Sequence, residues 1–351
     1  MESRGHGTTT MGIVNMDHLL VTGGAGFIGS NYVRMVLREG LAKKVTVIDA
    51  LTYAGNLENL KEFEGDDRLV FVHGMIQDRE VVDQAAKDVD VILNFAAESH
   101  NDRAILDPDA AVHANFNGVC VLLDVARRYG HQRFLQVSTD EVYGSTDDMF
   151  REGDALEPNQ PYSAAKAGGE LMVRAYHETF GLQTLVTRGS NTYGQFQYPE
   201  KLIPLMVTNA IDDIPLPVYG DGQQVREWMH VDDHARGIDL VLRNGTPGKA
   251  YNLGSGCERV NLDVVRGILA ALDKPDSLIR YVQDRPGHDR RYLMECKSIR
   301  ALGFEPDINF EARLEETVKW YVDNEPWWRR IKEKKAEYQA FMDQWYANRR
   351  G

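Results

Sequence analysis

From His18 onward, short apolar runs alternate with longer stretches whose apolar positions recur every three or four residues. The runs are HLLVT, KVTVID, RLVFVHG, VDVILNFA, RFLQVST and QTLVTRG. They are rich in β-branched residues and almost continuously apolar, the pattern of strands covered on both faces. Between them, segments near 27–39, 78–87, 110–129 and 161–180 read as helices. Such alternation predicts βαβ units and an α/β fold with a Rossmann-type, doubly wound parallel sheet. After about residue 190 the rhythm breaks, because IPLPVYGDGQ is rich in Pro and Gly and strand-like runs become sparse. A smaller mixed α/β lobe is expected there, with the chain returning to the first unit over about 228–255. The tail over 327–349 is charged, aromatic and helix-like.

Composition narrows the partners. With 351 residues and 43% hydrophobic content, the chain can bury a large core. Forty basic against 53 acidic side chains leave a net charge of −13, which disfavours nucleic acid and anionic membrane surfaces. An anionic small ligand would need arginines gathered around it. Cys120, Cys257 and Cys296 lie far apart and form no disulfide framework, which suits the cytoplasm. No apolar run approaches the roughly 20 residues of a membrane span. The leader MESRGHGTTTMGIVNM lacks a signal-peptide core and reads as a disordered extension over 1–16.

VTGGAGFIGS follows the first strand and opens a helix. Gly24, Gly26 and Gly29 fit G-x-G-x-x-G, and Gly23, Gly26 and Gly29 fit the related G-x-x-G-x-x-G. Glycines there allow a tight turn and let backbone N–H groups approach a pyrophosphate at the helix N-terminus. Strand two ends in Asp49, 20 residues after Gly29, where an acid binds the adenosine ribose diol and disfavours an added phosphate. The cofactor expected is therefore NAD, with Phe27, Ile28, Ile76 and Ala97 completing the residues assigned to it. In PYSAAKAGGE, Tyr162 and Lys166 stand four apart on a helix beginning at Pro161. A lysine beside a phenol favours the phenolate, which makes the tyrosine a base for a sugar hydroxyl. Both residues join the cofactor set.

These motifs resemble the extended short-chain dehydrogenase/reductases, and within them the nucleotide-sugar 4,6-dehydratases that act on dTDP-glucose. The resemblance runs from about residue 18 to 328 and rests on FAAESH, STDEVYG, PYSAAKAG, YPEKLIPL, VYGDGQQVREW and DRPGHDRRY. It implies oxidation of a hexose at C4, loss of water across C5 and C6, and hydride return to C6. Thr139, Asp140 and Glu141 then carry the elimination, with Glu141 the base at C5 and Asp140 the acid at the C6 oxygen. Tyr162 takes the C4 hydroxyl proton, Thr139 hydrogen-bonds that oxygen, and Lys166 holds the nicotinamide ribose. Neighbouring carboxyls titrate as a pair, so one can be protonated while the other is ionised. Since neighbours on a strand point to opposite faces, the pair converges only if the strand ends near Ser138. His100, Asn191, Glu200, Lys201, Arg226, Asn261 and Arg290 match the family's substrate positions, and Glu98 is expected near the cofactor. Asn115 also matches a family position.

The chain departs from the family pattern at Met75, where relatives usually carry an Asp that contacts adenine, and at Asn101, where Val is common. Gly189, Thr192 and Gln195 differ likewise, and GSGCE replaces an Asn-rich loop. His230 and His234 have the spacing of a metal pair, but no third ligand accompanies them, so no metal is expected. Trp327 and Trp328 are expected to pack the tail on the core. VHANFNGVCVLLDVA is apolar enough to bury two faces, and a homodimer is expected through helices 110–129 and 161–180. Residues 17–194, with the return segment 228–255, are thus the expected NAD-binding unit, and 195–351 mainly the substrate-binding lobe with its helical tail. Two other readings compete: an NAD-dependent nucleotide-sugar 4-epimerase, which needs no acid–base pair, and a catalytically silent NAD-binding sensor.

Overall fold

The computed structural model describes residues 16–146, 148–284, 290–334 and 336–347. The extension expected over 1–16 lies outside them except for Met16, and the whole RPGHD stretch, 285–289, lies outside them too. The strands are β1 (His18–Thr22), β2 (Lys44–Asp49), β3 (Leu69–His73), β4 (Val91–Asn94), β5 (Arg133–Thr139), β6 (Thr184–Gly189), β7 (Asn191–Tyr193), β8 (Leu216–Tyr219), β9 (Val225–His230), β10 (Ala250–Leu253), β11 (Glu258–Val260) and β12 (Ile279–Val282). The first-half helices are α1 (Phe27–Glu39), α2 (Arg79–Ala86), α3 (Asn101–Leu106), α4 (Pro108–Val112), α5 (Val119–Tyr129) and α6 (Pro161–Phe180). After them come α7 (Leu202–Ile211), α8 (Val231–Asn244), α9 (Asn261–Ala271), α10 (Lys297–Ala301), α11 (Phe310–Asp323), α12 (Glu325–Lys334) and α13 (Ala336–Ala347).

Seven parallel strands form the main sheet in the order β10-β6-β5-β4-β1-β2-β3. Side chains alternate across it with period two. Leu19, Val21, Val45, Val47 and Leu93 pack in one core with Tyr32 and Val33 of α1 and Ile238 and Val241 of α8. Leu20, Ile48, Ile92 and Phe134 face the other way, onto Val82 of α2, Leu122 and Val125 of α5 and Val173 of α6. That two-sided burial is why the runs read as continuously apolar. The strand order reverses between β4 and β1, so a crevice opens at their carboxyl ends. β10, from the return segment, closes one edge of the sheet.

The remainder carries two small sheets, β11-β9-β7 and β12-β8, beside a third core built on α7, α9 and α11. Trp328 is fully buried there, and its indole donates to the Tyr321 carbonyl. Trp327 donates to Asn59 Oδ1 at 2.9 Å, tying the tail to the first unit.

The helix expected over 110–129 is interrupted. α4 starts at Pro108 after an Asp107 cap, and residues His113–Gly118 form a π turn before α5. Asn115 drives the insertion outward: its amide donates to the Glu98 carbonyl at 2.9 Å, and its oxygen accepts the Glu98 N–H at 3.1 Å. A wide turn carrying a side chain into a crevice is a frequent mark of functional sites.

Candidate active site

A cavity of about 560 Å³ opens at the sheet crevice. Gly23, Gly26, Phe27, Ile28, Gly29, Asp49, Ile76 and Ala97, all assigned to the cofactor from sequence, line it together with Glu98. Glycine is required twice in the loop. Gly23 has φ +67°, and a Cβ on it would lie 2.6 Å from the Ala96 nitrogen. A Cβ on Gly29 would collide with the Gly23 carbonyl. Asp49 accepts the N–H groups of Ala25 and Leu51 at 2.9 and 2.8 Å, which fixes its carboxylate at the end of β2. Burial raises its pKa, opposed by those backbone donors. A tight glycine turn at a helix start, an acid at the tip of the next strand and an elongated apolar cavity fit a dinucleotide.

The acid pair follows β5 and, with Tyr162 and Lys166, lies outside the residues that line this first cavity. β5 ends at Thr139, one residue beyond Ser138, and Asp140–Tyr143 form a 3₁₀ turn capped by the Thr139 hydroxyl, which accepts the Glu141 N–H at 3.3 Å. The turn breaks strand alternation, so both carboxyls reach one neighbour: the Tyr162 phenol is pushed upward first by burial and then by whichever of Glu141 and Asp140 is ionised. Their surroundings differ. Asp140 is buried, and among the described residues no partner reaches its Oδ2. Burial first, then Glu141 and Glu227, push it well above the usual carboxyl range, which favours its protonated form. Glu141 lines a second pocket, where Asn101 donates to its Oε2 at 2.6 Å.

One electrostatic expectation is corrected. The sequence reading has Lys166 favouring the Tyr162 phenolate, but Lys166 Nζ donates to the Val137 carbonyl at 2.6 Å. Burial brings the lysine down to about 8, and desolvation and the two acids dominate the phenol. Four-residue spacing put both side chains on one helix face, and the strand below captured the ammonium.

The second pocket gathers His100, Asn191, Glu200, Lys201, Arg226 and Asn261 with Glu141. Arg290 stands apart. Its guanidinium is exposed, 3.5 Å from Asp221, and it meets the site through its backbone carbonyl, which accepts from Arg226 Nη1 at 3.3 Å. Glu200 and Lys201 line both cavities and mark their junction.

A family model described as GDP-mannose 4,6 dehydratase matches residues 20–317. A dTDP-glucose 4,6-dehydratase from Actinoplanes sp. is 46% identical over 317 residues, covering 88% of this chain and 99% of its own. The chain belongs to the extended short-chain dehydrogenase/reductases, among their 4,6-dehydratases. The low-salt glycan biosynthesis protein Agl12 of Haloferax volcanii is 49% identical over 308 residues, 88% of this chain and 99% of Agl12. Among solved structures, the Streptomyces venezuelae dTDP-glucose 4,6-dehydratase DesIV, with NAD and dTDP bound, superposes with a TM-score of 0.88 at 48% identity, covering 90% of this chain and 99% of DesIV.

Within this dehydratase family, two departures now have locations. Met75 lines the cofactor cavity at its rim, 55% exposed, with no hydrogen-bonding group to offer an adenine. Asn101 is the donor to Glu141, a contact the sequence gave no means of anticipating. Also missed were Arg103, three residues past His100, and Tyr346, which reaches the second pocket from α13. The tail did hold a signal: Tyr338, Phe341 and Trp345 recur at helical spacing and are all buried. Of the two discounted histidines, His230 caps α8 and His234 meets the Thr192 hydroxyl at 2.7 Å.

Proposed function

We propose that this protein is an NAD-dependent hydro-lyase, a nucleotide-sugar 4,6-dehydratase converting dTDP-glucose to dTDP-4-keto-6-deoxyglucose in deoxysugar biosynthesis. One observation carries the reading: two adjacent carboxyls on one turn in unlike environments, Asp140 buried and Glu141 lining the second pocket with Asn101 as its donor. An epimerase has no step that uses them, and a silent sensor has no use for them at all.

NAD, when bound, supplies the acceptor that oxidises C4 and returns hydride to C6. Gly23, Gly26 and Gly29 would let the backbone approach its pyrophosphate, Asp49 would hold its adenosine ribose, and Lys166 would hold its nicotinamide ribose. Tyr162, paired with Thr139, takes the proton of the C4 hydroxyl. The resulting ketone acidifies the C5 hydrogen, which Glu141 removes. Asp140 gives its proton to the departing C6 oxygen; the hydride then returns to C6 and a proton to C5, so the net change is loss of one water. His100, Asn191, Glu200, Lys201, Arg226 and Asn261 hold the sugar nucleotide, the arginine supplying forked donors to phosphate oxygens.

Residues 17–194 with 228–255 serve as the cofactor unit in this reading, and 195–351 mainly as the substrate lobe. α4 and α6 pack together and leave Val112 and Leu171 exposed, with Leu106 beside them, and this apolar surface is where a second copy pairs. No helix among the described residues is long and apolar enough to cross a membrane. The three free cysteines support a cytoplasmic location. Purified protein is offered dTDP-, UDP-, CDP- and GDP-glucose in parallel. The dTDP sugar is expected to give the alkaline absorbance of a 4-keto product. Its absence, with galactose-configured product instead, would replace dehydration by epimerisation.

A further inference from the structure

Glu200 sits at the junction of the two cavities with its side chain wholly out of solvent. One oxygen, Oε2, accepts a hydrogen bond from Arg103 Nε at 2.9 Å and makes an ion-pair contact with Nη2 at 2.8 Å. For the other, Oε1, no hydrogen-bond partner exists among the described residues, and His100 Nδ1 is 4.0 Å away. A buried carboxylate with one oxygen held by a guanidinium and the other without a protein donor beside a binding pocket is prepared to accept a ligand hydroxyl.

Arg103 is itself clamped. Its guanidinium carbon lies 3.9 Å from the ring centre of Tyr53, in the cofactor cavity wall, and 4.3 Å from that of Phe341 on α13. The next anchor is on the neighbouring residue of α3. Tyr219 donates to Asp102 at 2.9 Å and accepts from the Trp345 indole, also on α13, at 2.7 Å. The last helix therefore grips α3 at two consecutive residues, and it lies beyond the end of the family match at residue 317.

We propose that Arg103 is a positioning residue that turns the free oxygen of Glu200 toward a hydroxyl of the sugar, and that Phe341 of α13 holds it in place. The charged and titratable groups facing Glu200 come from every surrounding element. They are Arg103 and Asp102 on α3, His100 and Glu98 before it, Tyr53 after β2, Tyr198 and Lys201 on its own loop, and Tyr338 on α13. Burial pushes the Glu200 carboxyl up and Arg103 is the largest opposing influence. Without the guanidinium the carboxyl stays protonated to higher pH and donates where it should accept.

The inference rests on the dehydratase reading, and the test separates the two. Wild-type protein, Arg103→Gln, Arg103→Lys and Phe341→Ala are assayed with dTDP-glucose across pH, alongside NAD binding and thermal melts. Arg103→Gln is expected to raise KM about tenfold and to move the acid limb of kcat/KM about one pH unit upward, so that its deficit shrinks as pH rises. Arg103→Lys should return the limb toward wild type while KM stays raised, because an ammonium restores charge without the fork. Phe341→Ala should raise KM about threefold with kcat little changed. A merely structural arginine would lower the melting temperature and leave the acid limb in place. An unmoved limb, or a Phe341→Ala enzyme with wild-type KM, overturns the inference. If Arg103→Gln does not fold, the lysine and Phe341 variants decide it in the same terms. Wild-type protein inert toward every sugar nucleotide would instead overturn the dehydratase reading.

Discussion

The cofactor cavity and the substrate pocket share a wall at Glu200 and Lys201, yet they are made of different material. The first is shaped by backbone: a glycine loop within residues 23–29 and the tips of neighbouring parallel strands, with Asp49 its main fixed charge. The second is shaped by side chains drawn from 100 to 346, from loops, a small sheet and the last helix. Backbone geometry depends on what is absent, a Cβ at Gly23 or Gly29. Side-chain geometry depends on partners: Asn101 for Glu141, Arg103 for Glu200, burial for Asp140. A site of the first kind should fail through steric collision, and one of the second kind through lost charge or orientation.

The largest effect is expected on the side-chain side. Glu141→Gln is nearly isosteric and keeps a partner for Asn101, so NAD and sugar-nucleotide binding should stay near wild type. Turnover should fall by about a thousandfold, in the range general-base removal produces, and deuterium exchange at C5 should stop. Exchange that continues undiminished in this variant removes Glu141 from its assigned step. It would also blur the contrast, since the pocket would then bind without performing the proton transfer.

Gly29→Ala tests the backbone side. The added methyl meets the Gly23 carbonyl, so the loop must shift away from the pyrophosphate position. Overpacking of this kind costs about 1–3 kcal/mol. NAD should bind about ten- to a hundredfold more weakly, read by titration and by the NAD content of purified protein, while sugar-nucleotide binding to the second pocket is spared. Equal losses at both sites would mean that the two cavities are one mechanical unit.

The same contrast decides what could be read from sequence. β1, α1, β5 and α6 fall where periodicity puts them, because a parallel strand buried on both faces and a capped helix are local properties. The glycine loop and Asp49 were legible for the same reason. The convergence of Asp140 and Glu141 was only conditionally legible: it depends on where β5 stops, which Thr139 decides by capping the next turn. The π turn at His113–Gly118 escaped, since it exists to let Asn115 meet a backbone 17 residues away. The helical tail was legible, but Arg103 and the contact of α13 with it escaped for a stronger reason. A pairing between residues 103 and 200, clamped by residue 341, leaves no local pattern. Arg290 has suitable chemistry and neighbourhood, and its side chain faces Asp221 and solvent while its carbonyl meets Arg226.

The smallest effect belongs to Met75, and it sharpens the comparison most. At the rim of the cofactor cavity and 55% exposed, Met75 offers an adenine only contact area. If backbone carries the affinity there, one side-chain hydrogen bond is a minor addition. Met75→Asp places an acceptor where relatives usually have one. A net hydrogen bond is worth about 0.5–1.5 kcal/mol, so NAD should bind about three- to tenfold more tightly, with kcat unchanged. Isothermal titration of NAD into stripped protein reads this directly. The exposed position predicts the low end, because the carboxylate keeps part of its hydration and the acidic protein repels the pyrophosphate slightly more. A gain far above tenfold would mean that the cofactor half also relies on particular side chains. The difference between the two cavities would then be one of degree.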